Sequence, residues 1–230
     1  MLVALGAVAS FFSLSSTVPQ VVRAVRTSIT DGISWGSLLL NLCALVLWCV
    51  YSVAVVDDLQ LLNNAAGFGL LLVLVGAVLR TGSRSWWRGV GTALLVVVIA
   101  CAVAVAVVEA FDPFALAMVG TVVSSVRMWP QTRLALARAP LWGLDPWATA
   151  LGWAGWLLWA AYGVAAADHA LAVCSLTGLV MQSTILAFRL PPRRTLHSIA
   201  GGRLGPWAAR VAGPVSGRFP LRAEDFELAA

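Results

Sequence analysis

Apolar residues run along this chain in blocks of about twenty, separated by short polar stretches. Blocks long enough to cross a bilayer, about 20 residues each, fall at 1–22, 35–56, 59–79, 89–111, 113–133, 147–167 and 170–189. The pattern predicts seven transmembrane helices, although 59–79 and 170–189 carry polar residues in their first turns. The pattern also repeats. Adding 111 maps Ser13, Pro19, Gln20, Ala24, Gly32, Leu47, Trp48, Tyr51, Val53, Ala54, Asp57 and Gly67 onto identical residues without a gap. Helices one to three therefore form one repeat and helices five to seven the other. Helix four has no counterpart and carries no polar residue between Thr92 and Glu109. One extra crossing restores the orientation that three helices would invert, so the two repeats are expected to run parallel.

Composition agrees with a membrane bundle. Hydrophobic residues make up 60% of the chain and charged residues 11%, against about 25% charged in a soluble domain. The net charge of +5 comes from arginine alone, since there is no lysine. Arg23 and Arg26, Arg80, Arg84 and Arg88, Arg133 and Arg138, and Arg189, Arg193 and Arg194 follow helices one, three, five and seven. The alternate loops hold Asp57 and Asp58, Glu109 and Asp112, and Asp168 and His169. The positive-inside rule then predicts an outer N-terminus and a cytoplasmic C-terminus, and it accounts for the charge without nucleic acid. Without a basic n-region, the first block is expected to be a retained helix rather than a signal peptide. The Ala, Val, Arg, Gly and Trp bias fits a bacterial, GC-rich source and a plasma membrane. Cys43, Cys49, Cys101 and Cys174 lie in apolar runs with no CxxC pair, so they are expected to be free thiols.

The organisation expected from this is 1–80 as the first triple-helix bundle, 81–112 as a cytosolic linker and linker helix, 113–190 as the second bundle, and 191–230 as a tail. The tail holds Pro191, Pro192, Pro206, Pro214 and Pro220 among many glycines. It is expected to be mostly disordered, with a short surface helix near Trp207 as the alternative.

Candidate chemistry follows the repeat. Pro19-Gln20 and Pro130-Gln131 occupy equivalent positions in two helices, near the arginine-bearing end. A proline inside a helix removes a hydrogen bond and clashes with the preceding turn. Paired interrupted helices mark the moving parts of a transporter, so Pro19, Gln20, Pro130 and Gln131 are candidate gating residues. Trp48 and Asn64 lie at one depth on adjacent helices, ~9–14 Å below the surface at 1.5 Å per residue. Trp159 and Ser175 stand at the matching positions of repeat two. An indole face with a nearby amide suits a neutral polyhydroxyl ligand, whose C–H face stacks on the ring while its hydroxyls bond the amide. The plainer alternatives are a lipid-facing position or core packing for the tryptophans and an interhelical bond for Asn64. Arg127 is the one charged residue well inside a span. Snorkelling or pairing is favoured for it over contact with an anionic solute. No Ser/His/Asp set, metal cluster, P-loop or dinucleotide motif is present, so no enzyme, cofactor or metal is expected.

The duplicated Pro-Gln, the Trp-x-x-Tyr at 48–51 and 159–162, and the spacing of 16 from Trp48 to Asn64 resemble the PQ-loop superfamily. Within it they resemble the SWEET-type sugar transporters, over roughly residues 1–190. The resemblance implies an all-α integral membrane fold of two parallel triple-helix bundles joined by a linker helix (3+1+3). It implies alternating-access movement of a small neutral sugar or polyol, with Trp48 and Trp159 as aromatic walls of a central site and Asn64 as its amide. The lack of a membrane-buried carboxylate favours an uncoupled uniporter. Two departures stand out. Ser175 replaces the second asparagine, and helix two lacks the proline that the family carries there, with only Pro146 at the start of helix six. Ser175 and Arg127 favour the alternative of an amino-acid or other metabolite transporter. A receptor or scaffold without transport is the third reading. Beyond the solute and the bilayer, a homo-oligomer is a possible partner.

Overall fold

The computed structural model describes residues 1–27, 35–81, 85–136, 146–189, 193–218 and 220–221. Gly32 and Gly143, the repeated glycines, lie outside the described residues. Nine helices are described: α1 (Leu2–Thr27), α2 (Trp35–Ala54), α3 (Asp58–Thr81), α4 (Trp86–Ala110), α5 (Pro113–Leu136), α6 (Pro146–Ala165), α7 (His169–Arg189), α8 (Arg193–Ala200) and α9 (Pro206–Ser216). Five of them, α1, α2, α3, α4 and α7, are long and apolar enough to cross a membrane. The chain is a multi-pass membrane protein. In a bilayer every backbone group must be bonded internally, which only helices and closed barrels allow.

The helix junctions repeat as closely as the sequence does. Val56 and Ala167 both take left-handed backbone angles, with φ of 56° and 57°. At each, the next amide turns back on the preceding helix: Asp57 N–H to Ser52 O at 2.9 Å, and Asp168 N–H to Gly163 O at 2.8 Å. Each aspartate then caps the helix that follows, Asp57 accepting from the Gln60 amide and Asp168 from the Leu171 amide. Asp112 caps α5 in the same way, accepting from the Ala115 amide at 2.7 Å, with Pro113 at the first helical position, where a missing N–H is harmless. Asp57 and Asp168 therefore lie together at one end of the bundle, the aspartate end. Arg26, Arg80, Arg88 and Arg133 mark the other, the arginine end.

Within repeat one, α3 packs against α1 and α2. Within repeat two, α7 packs against α5 and α6. The repeats meet through α1 against α6 and through α2 against α5, which are equivalent crossings. The linker helix α4 leans mainly on α2. Glycine permits each close approach. A Cβ on Gly120 of α5 would stand 3.2 Å from the Trp48 indole nitrogen, and one on Gly155 of α6 would stand 2.8 Å from Ser13 Oγ.

The apolar core divides unequally. One cluster, including Leu47, Tyr51, Leu116, Tyr162 and Leu171, draws on both repeats at the aspartate end. A second, including Val21, Leu38, Leu42, Leu74 and Leu79, belongs to repeat one and α4 near the arginine end.

The tail departs from expectation. Residues 193–200 and 206–216 are helices that pack on each other, so disorder does not describe 193–218. The reversal between them uses Gly202 and Gly205 at φ of 97° and 94°, angles that glycine takes without a Cβ clash. Leu204 in the turn and Trp207, Val211 and Val215 along α9 are exposed. Trp86 and Trp87 open α4 and are exposed.

Candidate functional site

The two repeats bond each other through equivalent residues, and the bonds are exchanged. Trp48 Nε1 donates to Ser124 Oγ at 3.2 Å, and Trp159 Nε1 donates to Ser13 Oγ at 3.0 Å. Tyr51 OH donates to Asp168 Oδ1 at 2.8 Å, and Tyr162 OH donates to Asp57 Oδ2 at 3.0 Å. In each of these four bonds donor and acceptor map onto the donor and acceptor of the matching bond 111 positions away. Tyr51 and Tyr162 are the only tyrosines in the chain.

Helical spacing explains the pairing. Trp48 and Tyr51 are three apart, so they share a face of α2. Their rings meet edge to face with centroids 5.3 Å apart, and Trp159 and Tyr162 repeat this at 5.3 Å. Both tryptophans are buried, at 7% and 5% exposure, so neither faces lipid. Tyr51 and Tyr162 also line a cleft of about 620 Å³ at the aspartate end, together with Asp57, Phe114, Asp168 and His169. The fully buried Gln60 joins the two aspartates, its amide 3.2 Å from Asp57 Oδ2 and 3.4 Å from Asp168 Oδ2.

The other expected residues are placed as follows. Ser175 on α7 is completely buried, and its hydroxyl has no hydrogen-bond partner. Asn64 is half-buried, and its Nδ2 stands 3.5 Å from Ser52 Oγ within its own repeat. Ser52 Oγ in turn donates to the Trp48 carbonyl at 2.6 Å, so Asn64 braces the tryptophan's helix. Asn63 beside it has a buried Oδ1 without a partner. Pro19 and Pro130 lie inside α1 and α5, with Pro19, Gln20 and Pro130 exposed. The side chain of Gln131 lies outside the described residues.

Arg127 does not snorkel. The residue is half-buried with its Nε fully buried, and Nη1 donates to Asn41 Oδ1 on α2. The pairing alternative holds instead, with a neutral amide as partner.

Cys43, Cys49, Cys101 and Cys174 are free. Among the described residues no group of three or more His, Cys, Asp or Glu is placed to hold a metal.

Sequence reasoning missed the tyrosine–aspartate pairs and the roles of Ser13 and Ser124. The available signal was the repeat itself, because Ser13, Tyr51 and Asp57 all map onto identical residues 111 positions on.

Comparison with known proteins bears on this geometry. Residues 1–61 match the model of the PQ loop repeat. The structure is similar to that of a eukaryotic SWEET transporter, with a TM-score of 0.67 and 17% sequence identity, covering 81% of this chain and 94% of that one. A search of curated proteins finds no match. Residues 1–61 are thus similar to a PQ loop repeat, and the chain shares the fold of that SWEET transporter.

Proposed function

We propose that this protein is a transporter that moves a small polyhydroxyl solute, a sugar or polyol, by alternating access between its two repeats. The observation that carries this reading is the exchanged set of bonds. Two bundles joined by equivalent, reversible contacts can part at one end by a symmetric motion, and an interface between repeats is where a transporter holds its solute. Tyr51–Asp168 and Tyr162–Asp57 act as a latch that closes the aspartate end. Hydrogen bonds to charged groups contribute about 1.5–3 kcal/mol each. That is enough to set which end is open, and water or solute can replace them.

Trp48 and Trp159 lie behind the latch. Their indole faces suit the C–H face of a sugar ring, and Ser13, Ser124 and Ser175 offer hydroxyls to its oxygens. Asn64 holds the α2 end of this site through Ser52. Pro19-Gln20 and Pro130-Gln131 shape the arginine-end gate, where the lost helical hydrogen bonds ease bending. The arginine distribution favours a cytoplasmic arginine end and an outward aspartate end in a plasma membrane. Uncoupled uniport fits the occupation of Asp57 and Asp168 by the latch.

Uptake by the purified full chain in proteoliposomes tests the reading. Saturable uptake of at least one sugar, polyol or sugar derivative, abolished in the Trp48→Ala/Trp159→Ala protein, is the expected result. No saturable uptake and no thermal shift with any of them would overturn it.

A further inference from the structure

Arg127 breaks the repeat, whereas the tyrosine–aspartate and tryptophan–serine pairs obey it. Its counterpart is Ser16, and the counterpart of its partner Asn41 is Gly152. The α1–α6 crossing is closed by those small residues, since a Cβ on Gly152 would stand 3.7 Å from Ser16 Oγ. The equivalent α2–α5 crossing carries a guanidinium. Packing therefore does not require the charge.

The position of that charge is unfavourable unless something uses it. Arg127 lies about 14 residues, or ~21 Å, along α5 from Pro113 and about six residues, or ~9 Å, from Arg133, inside the helix and toward the arginine end. Intramembrane charges are rare and mark solute pathways or partners. Its Nη1 is taken by Asn41 Oδ1, but Nε is buried without any partner. Among the described residues no carboxylate pairs with it. A buried charge left without a counter-ion is strongly destabilising.

Its surroundings are those of the solute site. Ser124, which accepts the Trp48 indole bond, is one turn away on the same helix face. Cys174 on α7 lies within electrostatic reach of the guanidinium and within bonding reach of Thr121 and Ser124. The next residue is Ser175, with its unused buried hydroxyl. An indole and an unpaired guanidinium N–H thus come from α2 and α5 to one region between the repeats, with Cys174 of α7 beside them.

We infer that the solute is an anionic polyhydroxy compound, a sugar acid or similar hydroxy acid, whose carboxylate pairs with Arg127. The inference rests on the transport reading and narrows its solute from a neutral sugar to an acid. The carboxylate takes the Nε–H that the protein leaves free, in the planar pairing that guanidinium favours. Asn41 holds the guanidinium in place, Ser175 meets a solute hydroxyl, and Trp48 stacks on the carbon skeleton.

The test is uptake and thermal shift with paired probes of the same carbon skeleton: D-glucuronate against D-glucose, D-galacturonate against D-galactose, and glycerate against glycerol. In the wild-type protein at least one acid is expected to be taken up about tenfold or more better than its neutral partner. Arg127→Gln is expected to lose acid uptake by about a hundredfold and so to lower the acid-to-neutral ratio, with Arg127→Lys between. Preference for the neutral member of every pair would overturn the inference and leave the transport reading intact. So would unchanged acid uptake in Arg127→Gln. No uptake or thermal shift with any member would overturn both. If Arg127→Gln fails to fold, the wild-type acid-to-neutral ratio decides alone.

Discussion

At the aspartate end of the bundle, Tyr51, Asp57 and their counterparts Tyr162 and Asp168 bond each other across the repeats, over the equally exchanged Trp48–Ser124 and Trp159–Ser13 pairs. Toward the arginine end the same duplicated helices hold Arg127 against Asn41 on one crossing and Ser16 near Gly152 on the other. The exchanged pairs of the first region keep their symmetry around Gln60, whose own counterpart is Leu171, and the second region does not. A latch must close both halves together, so a change in one copy leaves a buried donor or acceptor unpaired in the other. A solute is not two-fold symmetric, so the residues that read it are free to differ between copies.

The sharpest way to break the comparison is to remove the tryptophans. Trp48→Ala and Trp159→Ala each lose a buried indole and leave Ser124 or Ser13 without its donor. Such truncations cost about 3–5 kcal/mol of stability, and solute uptake should fall by about a hundredfold or more. If the symmetry governs this region, the two variants lose similar amounts, and uptake and melting temperature together check it. One variant behaving as wild type while the other is inactive would show that the halves are not equivalent here.

The latch comes next. Tyr51→Phe and Tyr162→Phe keep the ring contacts with Trp48 and Trp159 and delete one hydroxyl each. Each should destabilise the closed aspartate end by about 1.5–3 kcal/mol, the worth of a hydrogen bond to a charged group. A double-mutant cycle of Tyr51→Phe with Asp168→Asn isolates the pair. Asparagine also caps helices, so the start of α7 is preserved. The cycle should show coupling, whereas a cycle of Tyr51→Phe with Asp57→Asn should show much less.

Pro19→Ala and Pro130→Ala probe the other end. Each restores a helical N–H, to the Ser15 or Val126 carbonyl, and relieves a clash. Transport should slow several-fold while equilibrium solute binding stays within a few fold, measured by uptake and by thermal shift. Wild-type transport in the double variant would make both prolines ordinary kinks.

Much of this was legible in the sequence, and the rest was hidden for definable reasons. Helix positions follow from apolar block length, and the pairing of equivalent residues follows from the constant offset of 111. Trp48, Trp159 and Ser175 could be singled out because burial of a polar or amphipathic residue in a span is informative by itself. The latch could not be read. Asp57 and Asp168 look like loop charges that orient the protein, and spacing along a helix does not say which helix of the other repeat it faces. Arg127 was visible as an anomaly. Its partner Asn41 lies 86 residues away and joins it only through the α2–α5 crossing. The α8–α9 pair was masked by its prolines and glycines. Pro206 sits harmlessly at a helix start, and Gly202 and Gly205 form the reversal between the helices.

The smallest effect concerns the turns that set the latch. Val56 is β-branched and held in the left-handed region, and Ala167 sits in the same conformation. Such residues carry about 1–3 kcal/mol of backbone strain, partly offset in a glycine variant by the larger entropy of the unfolded chain. Val56→Gly and Ala167→Gly should leave transport unchanged and shift thermal stability upward by a degree or two, with Val56→Gly the larger. A clear loss of stability in either would show that the turn tolerates its φ without strain.

The central claim is that the exchanged tyrosine–aspartate bonds hold the aspartate end closed. Asp58 and His169 are equivalent exposed residues that open α3 and α7 beside the latch. Spin labels on cysteines at these two positions, in a background with the native cysteines replaced, report the separation of the repeats by pulsed electron resonance. The account predicts one short distance in the parent protein and a second, longer population in the Tyr51→Phe/Tyr162→Phe protein. Identical distance distributions in the two proteins would contradict it.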